Sequence, residues 1–165
     1  MTATPASDLL RAEHRCIEAE LDRLLLASQC RGTDMVLELR QAFSALQRLF
    51  QPHFRKEENV FYVYMRTRWP ELLSQLDEQH EHARELERHL QELLESVACA
   101  PDERQQTELI RFAAELYDVV QHHIVDEEDQ LLRLSDSWLS LEQQASLAAS
   151  MRDLEPSQMT CPQHK

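Results

Sequence analysis

The sequence predicts an all-α fold, an up-down-up-down antiparallel four-helix bundle with a short fifth C-terminal helix. Three observations carry this reading. The 165 residues hold one Gly and six Pro beside abundant Leu, Glu, Gln, Arg and Ala, the composition of long helices joined by short connections. Apolar residues recur at intervals of three and four through four long stretches, the period of a helix face and not of a strand. A hydrophobic content of 42% in one domain's length supplies a sizeable core. The expected organisation is a single domain over 1–165: the bundle in about 7–134, the short helix in about 140–154 and a disordered tail at 156–165.

The first helix begins near Thr4-Pro5 or Ser7-Asp8, since Thr or Ser caps a helix and Pro suits its first position. Its apolar stripe is Leu10, Ile17, Leu21, Leu24 and Leu25, and His14 fills the one-turn gap between Leu10 and Ile17. Glu18 lies toward the edge of that stripe and reads as a solvated carboxylate or a support for the interior. Gly32-Thr33-Asp34 breaks the chain and starts a second helix, whose stripe is Leu39, Phe43, Leu46, Phe50, His53, Glu57, Val60 or Phe61, and Tyr64. Pro52 removes a backbone N–H there and is expected to bend the helix, while Glu58 points about 100° away into solvent.

Trp69-Pro70 ends that helix, and Pro70 opens a third with Leu73, Leu76, His80, Ala83, Leu86, Leu90, Leu94 and Val97 inward. Arg84 and Glu87 share roughly the side of His80; His82 and His89 face out. Ala100-Pro101-Asp102 starts the fourth helix, with Leu109, Phe112, Leu116, Val119, Val120, His123, Glu127, Leu131 and Leu134 inward and His122 and Glu128 off the stripe. Ser140-Leu141-Glu142-Gln143 is a capping box for the short fifth helix, faced by Leu147, Met151 and Leu154.

The formal net charge of −13 lacks the basic footprint that nucleic acid or an anionic membrane surface requires. No apolar run reaches about 18 residues, and Met1-Thr2-Ala3-Thr4-Pro5 has neither the basic nor the apolar region of a signal peptide. A cytoplasmic protein, monomer or homodimer, is expected. Cys16, Cys30, Cys99 and Cys161 form no C-x-x-C pair and are expected as reduced thiols. Cys161-Pro162-Gln163-His164 is read as part of the tail, not as a metal site.

Two stretches carry the chemistry. His53-x-x-x-Glu57 and His123-x-x-x-Glu127 each place an imidazole and a carboxylate one turn apart on one helix face. They sit at core positions, where an unpaired carboxylate costs several kcal/mol. In an up-down-up-down bundle the depth of each His can be counted from one common end. His14 is nine residues from Pro5, His53 fourteen from Thr67, His80 ten from Pro70 and His123 eleven from Leu134. At about 1.5 Å per residue these depths fall at roughly 14–21 Å. His14, His53, His80 and His123 therefore converge on one layer beside Glu57 and Glu127. Neutral imidazoles and carboxylates there form a nitrogen-and-oxygen donor set that suits iron, zinc or manganese.

The order His14, His53-x-x-x-Glu57, His80, His123-x-x-x-Glu127 resembles a hemerythrin-like domain of the His–His–Glu type over about residues 7–134. The resemblance implies two non-haem iron ions, oxo- or hydroxo-bridged, inside a four-helix bundle. By matching position it puts His14 and His53 on one iron, His80 and His123 on the other, and Glu57 and Glu127 between them. Oxygen-carrying hemerythrins have a second His where this chain has Arg84, and an Asp five residues after the last His where this chain has Glu127 after four. One iron is thus a His short, which favours ligand exchange and peroxide or nitric oxide chemistry over reversible oxygen storage. The functions this implies are sensing or binding O2, nitric oxide or peroxide, or handling iron. The alternatives are a di-iron peroxidase, oxidase or nitric oxide-detoxifying enzyme, with Tyr64 either core packing or an electron or proton donor, a metal-stapled interaction module, or iron delivery for cluster repair.

Overall fold

The computed structural model describes residues 4–154, and no strand occurs among them. In chain order the elements are α1 (Ala6–Ala27), α2 (Gly32–Lys56), a π-helical turn (Glu57–Phe61), α3 (Tyr62–Met65), α4 (Pro70–Ser96), α5 (Glu103–Asp126), a second π-helical turn (Glu127–Leu132), α6 (Arg133–Trp138) and α7 (Leu141–Asp153). The calls on the tail, including Cys161-Pro162-Gln163-His164, lie outside the described residues.

Local chemistry sets the boundaries. Pro5 stands at the N-cap of α1 and no side chain caps it, so Thr4 is not a capping residue. Gly32 opens α2 at φ 61°, and its missing Cβ would meet nothing within 4 Å. Conformation rather than space demands glycine there. Pro70 takes the first turn of α4. Asp102 with Gln105, and Ser140 with Gln143 as expected, form reciprocal capping boxes for α5 and α7.

α1 packs chiefly on α2 and α4 chiefly on α5; α1 also lies along α5, and α7 rests on α1 and the first π turn. The buried apolar residues divide into two clusters. One includes Ile17, Leu21, Phe50, Phe54, Ala83, Val120 and Ile124; the other includes Leu10, Phe61, Tyr62, Leu76, Leu131 and Met151. Between them, on every long helix, stands a polar residue of the expected layer: His14 between Leu10 and Ile17, His80 between Leu76 and Ala83.

The π turns change the expected register. α2 runs on through Pro52, and the helix departs from α geometry at Glu57, where the Tyr62 N–H reaches the Glu57 carbonyl five residues back. One extra residue in the turn rotates everything after it. Phe61, Tyr62 and Met65 are buried, while Tyr64 is 38% exposed and its hydroxyl accepts from Gln143 Nε2 at 2.9 Å. Tyr64 is therefore not the interior tyrosine. After Glu127 the same shift buries Leu132 and Ser135 and leaves Leu134 half-buried.

Cys16 is disulfide-bonded, against the expectation of four reduced thiols, whereas Cys30 and Cys99 are free. No helix among the described residues is long and apolar enough to cross a membrane.

Candidate metal centre

All six expected donors meet in the layer between the two apolar clusters, each at most 2% exposed. Glu57 is the hinge of the arrangement. Its Oε1 lies 2.9 Å from His53 Nε2 and 3.7 Å from His14 Nε2; its Oε2 lies 3.1 Å from His80 Nε2 and 4.0 Å from His123 Nε2. Glu127 Oε2 stands 3.0 Å from His14 Nε2. The atoms form two groups, His14, His53, Glu57 and Glu127 in one and Glu57, His80 and His123 in the other, each with donors within 4.8 Å of one another. Glu57 belongs to both.

The other ring nitrogen of each His is held from outside the layer. Nδ1 of His14 donates to Glu128 at 2.9 Å, that of His53 to Glu13 at 2.9 Å, and that of His80 to Glu58 at 2.8 Å. A carboxylate can only accept, so the proton is on Nδ1 in each. His123 Nδ1 meets Gln79 Oε1 at 3.2 Å, and Gln79 Nε2 donates to Asp126 Oδ2 at 2.7 Å, which orients the amide. These four bonds close a ring around the molecule. Glu13 of α1 holds a His on α2, Glu58 holds one on α4, Gln79 of α4 holds one on α5, and Glu128 holds His14 back on α1. Arg15, Lys56 and Arg84 pair in turn with Glu128, Glu13 and Glu58.

With Nδ1 holding one proton, every Nε2 faces the layer, where a neutral imidazole offers a lone pair to a metal and a protonated one gives a proton to the carboxylates. His14 Nε2, His53 Nε2 and all four oxygens of Glu57 and Glu127 are buried with no hydrogen-bond partner. Such clustered polar atoms without hydrogen bonds are costly unless protons or a metal cation join them. Two donors bonded to one ion at about 2.1 Å stand about 3.0 Å apart at a right angle and about 3.4 Å at the tetrahedral angle. The observed spacings fit. His80 Nε2 and His123 Nε2 lie 3.1 Å apart, a separation that needs a proton or a cation between the two lone pairs.

The electrostatics reflect the same demand for positive charge. Burial lowers the His14 pKa, yet Glu127, Glu128 and Glu57 together hold it well above the ordinary imidazole value. For His80 burial is outweighed by Glu57 and Glu58, which lift it to about 9. His123, pushed down by burial and then by the neighbouring His80 charge, stays neutral. Burial and Glu57 together raise the Glu127 carboxyl.

The hemerythrin HHE cation-binding domain family model matches residues 6–135. The chain belongs to that family. A comparison with curated proteins finds no match. In this hemerythrin-like chain α7 lies beyond the matched segment, yet its Leu147, Ala148 and Met151 complete the apolar cluster on one side of the layer.

Residues weighed as supports divide. Arg84 is outside the layer, its guanidinium on Glu58 and 5.3 Å from the Phe54 ring centroid. Glu18 pairs with Arg15 and does not reach the layer. Glu87 accepts from Gln47 Nε2 at 3.0 Å, away from the donors. Glu58 and Glu128, expected in solvent, are instead acceptors for His80 and His14, and Glu13 and Gln79 went unsuspected. Their signal was in the chain. Glu13-His14 and His53-x-x-x-Glu57-Glu58 are echoed by Gln79-His80 and His123-x-x-x-Glu127-Glu128, an internal repeat that the interior stripes alone conceal. Tyr62 is the tyrosine of the site: fully buried, stacked on His80 at 5.5 Å, with a hydroxyl that has no partner.

Proposed function

We propose that this hemerythrin-like protein is a non-haem di-iron protein that binds O2, nitric oxide or peroxide and senses them through a His4Glu2 centre. His14 and His53 would hold one iron and His80 and His123 the other. Glu57 would bridge them, and Glu127 would complete the set. The observation that carries the reading is the asymmetry of donors: four protein groups converge in one half of the layer and three in the other, which leaves room for an exogenous ligand. Iron is favoured over zinc by the family resemblance, since the donor chemistry alone suits both. A pair of irons supplies reversible changes of oxidation state and exchangeable coordination positions. The chain's own residues fix the imidazole tautomers, keep the layer between apolar walls and hold Phe54 and Tyr62 against His80. The same reading takes the four long helices as an up-down-up-down bundle, supported by the short connections at 28–31, 66–69 and 97–102.

The test is metal content and the optical spectrum of freshly purified protein, before and after exposure to O2 and to nitric oxide. About two irons per chain, with visible bands that change on exposure, is the expected result. One zinc per chain, or folded protein without metal, would overturn it. Steady turnover of peroxide by the iron-loaded protein would move the reading from sensor to enzyme.

A further inference from the structure

The ring of outer hydrogen bonds has one member unlike the others, and it falls in the half of the layer with fewer donors. His14, His53 and His80 each donate Nδ1–H to a carboxylate, whereas His123 donates to the neutral amide of Gln79. An anionic acceptor makes the imidazole a stronger donor through its far nitrogen, and altering such a partner typically changes metal affinity about 10–100-fold. The group of His14 and His53 combines two carboxylate-supported imidazoles with two inward carboxylates, Glu57 and Glu127. The group of His80 and His123 has one inward carboxylate, shared Glu57, and one carboxylate-supported imidazole, His80 on Glu58; since Glu13, Glu58 and Glu128 are each paired with a cation, the difference between the groups lies in the inward donors and in Gln79. More negative charge and one more donor face a cation on the first side. A cation seated there repels a second one across Glu57.

Resting on the di-iron reading, we propose that the centre loads in two unequal steps: a resident ion at His14, His53, Glu57 and Glu127, then an exchangeable ion at Glu57, His80 and His123, with Gln79 the positioning residue that sets the second step's affinity. The second ion is the one this protein would gain and lose as iron supply changes, which joins iron handling to ligand sensing in one site.

The test titrates ferrous iron anaerobically into the metal-depleted full chain and counts bound irons by native mass spectrometry. At one equivalent the one-iron species should dominate. His123→Ala should keep one tightly bound iron and lose the second, whereas His53→Ala should lose the tight step. The double variant Gln79→Glu/Asp126→Asn exchanges amide and carboxylate while keeping the hydrogen bond between them. It should tighten the second step about tenfold and leave the first unchanged, an outcome that general loosening of the fold would not produce. Circular dichroism of the metal-depleted variants checks that they fold. A wild-type mixture of empty and two-iron protein at one equivalent, or an unmoved second step in the double variant, overturns the inference and leaves the di-iron reading standing. Wild-type protein that never takes a second iron overturns both.

Discussion

Tyr62 places a phenol oxygen where no protein atom receives it, fully buried and beside two carboxylates. Burial, then Glu127 and Glu57, push its pKa far up, so it is a neutral hydroxyl. A tyrosine whose hydroxyl bonds within the protein loses about 1 kcal/mol on replacement by Phe. Tyr62→Phe should therefore leave the melting temperature of metal-depleted protein unchanged or raised, as a thermal scan of the two would read. Glu87 is a second buried polar residue, 6% exposed, and burial raises its carboxyl pKa against the partial relief from Gln47. A raised acid binds its proton more tightly when folded, so stability is full below the unfolded value and is lost as pH rises through the folded one. Glu87→Gln should raise stability at pH 7 by at most about 1 kcal/mol and have no effect once the medium is acid enough to protonate both states. Denaturant melts at the two pH values measure this. The inward placement of His14, His53, Glu57, His80, His123 and Glu127 was legible because each falls on an apolar stripe. Their outer acceptors were not, because Glu58 and Glu128 stand one residue off the stripe, where helical period alone says solvent. A long carboxylate arm reaching the next helix overrides that period.

The two π turns begin at equivalent places, the inward carboxylates Glu57 and Glu127. Such single wide turns concentrate at functional sites because an extra residue redirects side chains without ending a helix. No residue type marks one in a sequence, which is why α periodicity carried Tyr64 inward and missed Tyr62. Deleting exposed Asn59 would return the turn to α geometry and keep Phe61, Tyr62 and Met65 on the buried face. What changes is the placement of Glu57 and Glu58 relative to the helix beyond, by about one residue rise of 1.5 Å. The deletion variant should keep its helical circular dichroism and lose at least about tenfold in metal affinity, read by competition with a coloured chelator.

At the scale of the molecule, the counting of helix depth placed four histidines in one layer, and the interior is indeed two apolar clusters separated by that layer. Six buried polar side chains across the waist of a small protein leave stability dependent on what joins them. Metal that binds the folded chain and not the unfolded one should stabilise it by about 2.7 kcal/mol at a free concentration 100 times its dissociation constant. Calorimetry with and without added metal should show that upward shift, and His53→Ala should largely abolish it. The disulfide at Cys16 was not legible, since spacing alone gives no pairing for isolated cysteines.

Each donor group borrows across the molecule: Glu127 from the α5 side completes the set of α1 and α2, and Glu57 from the α2 side completes the set of α4 and α5. The two helix pairs are thereby riveted to each other by their own carboxylates, and the chain link between them is the exposed segment around Thr67 and Arg68. A protease cut there would turn one polypeptide into two complementary fragments. With metal present the halves should co-migrate as a nicked whole, and a strong chelator should weaken their hold on each other, so that the ion acts as a removable fastener between two pieces of one fold.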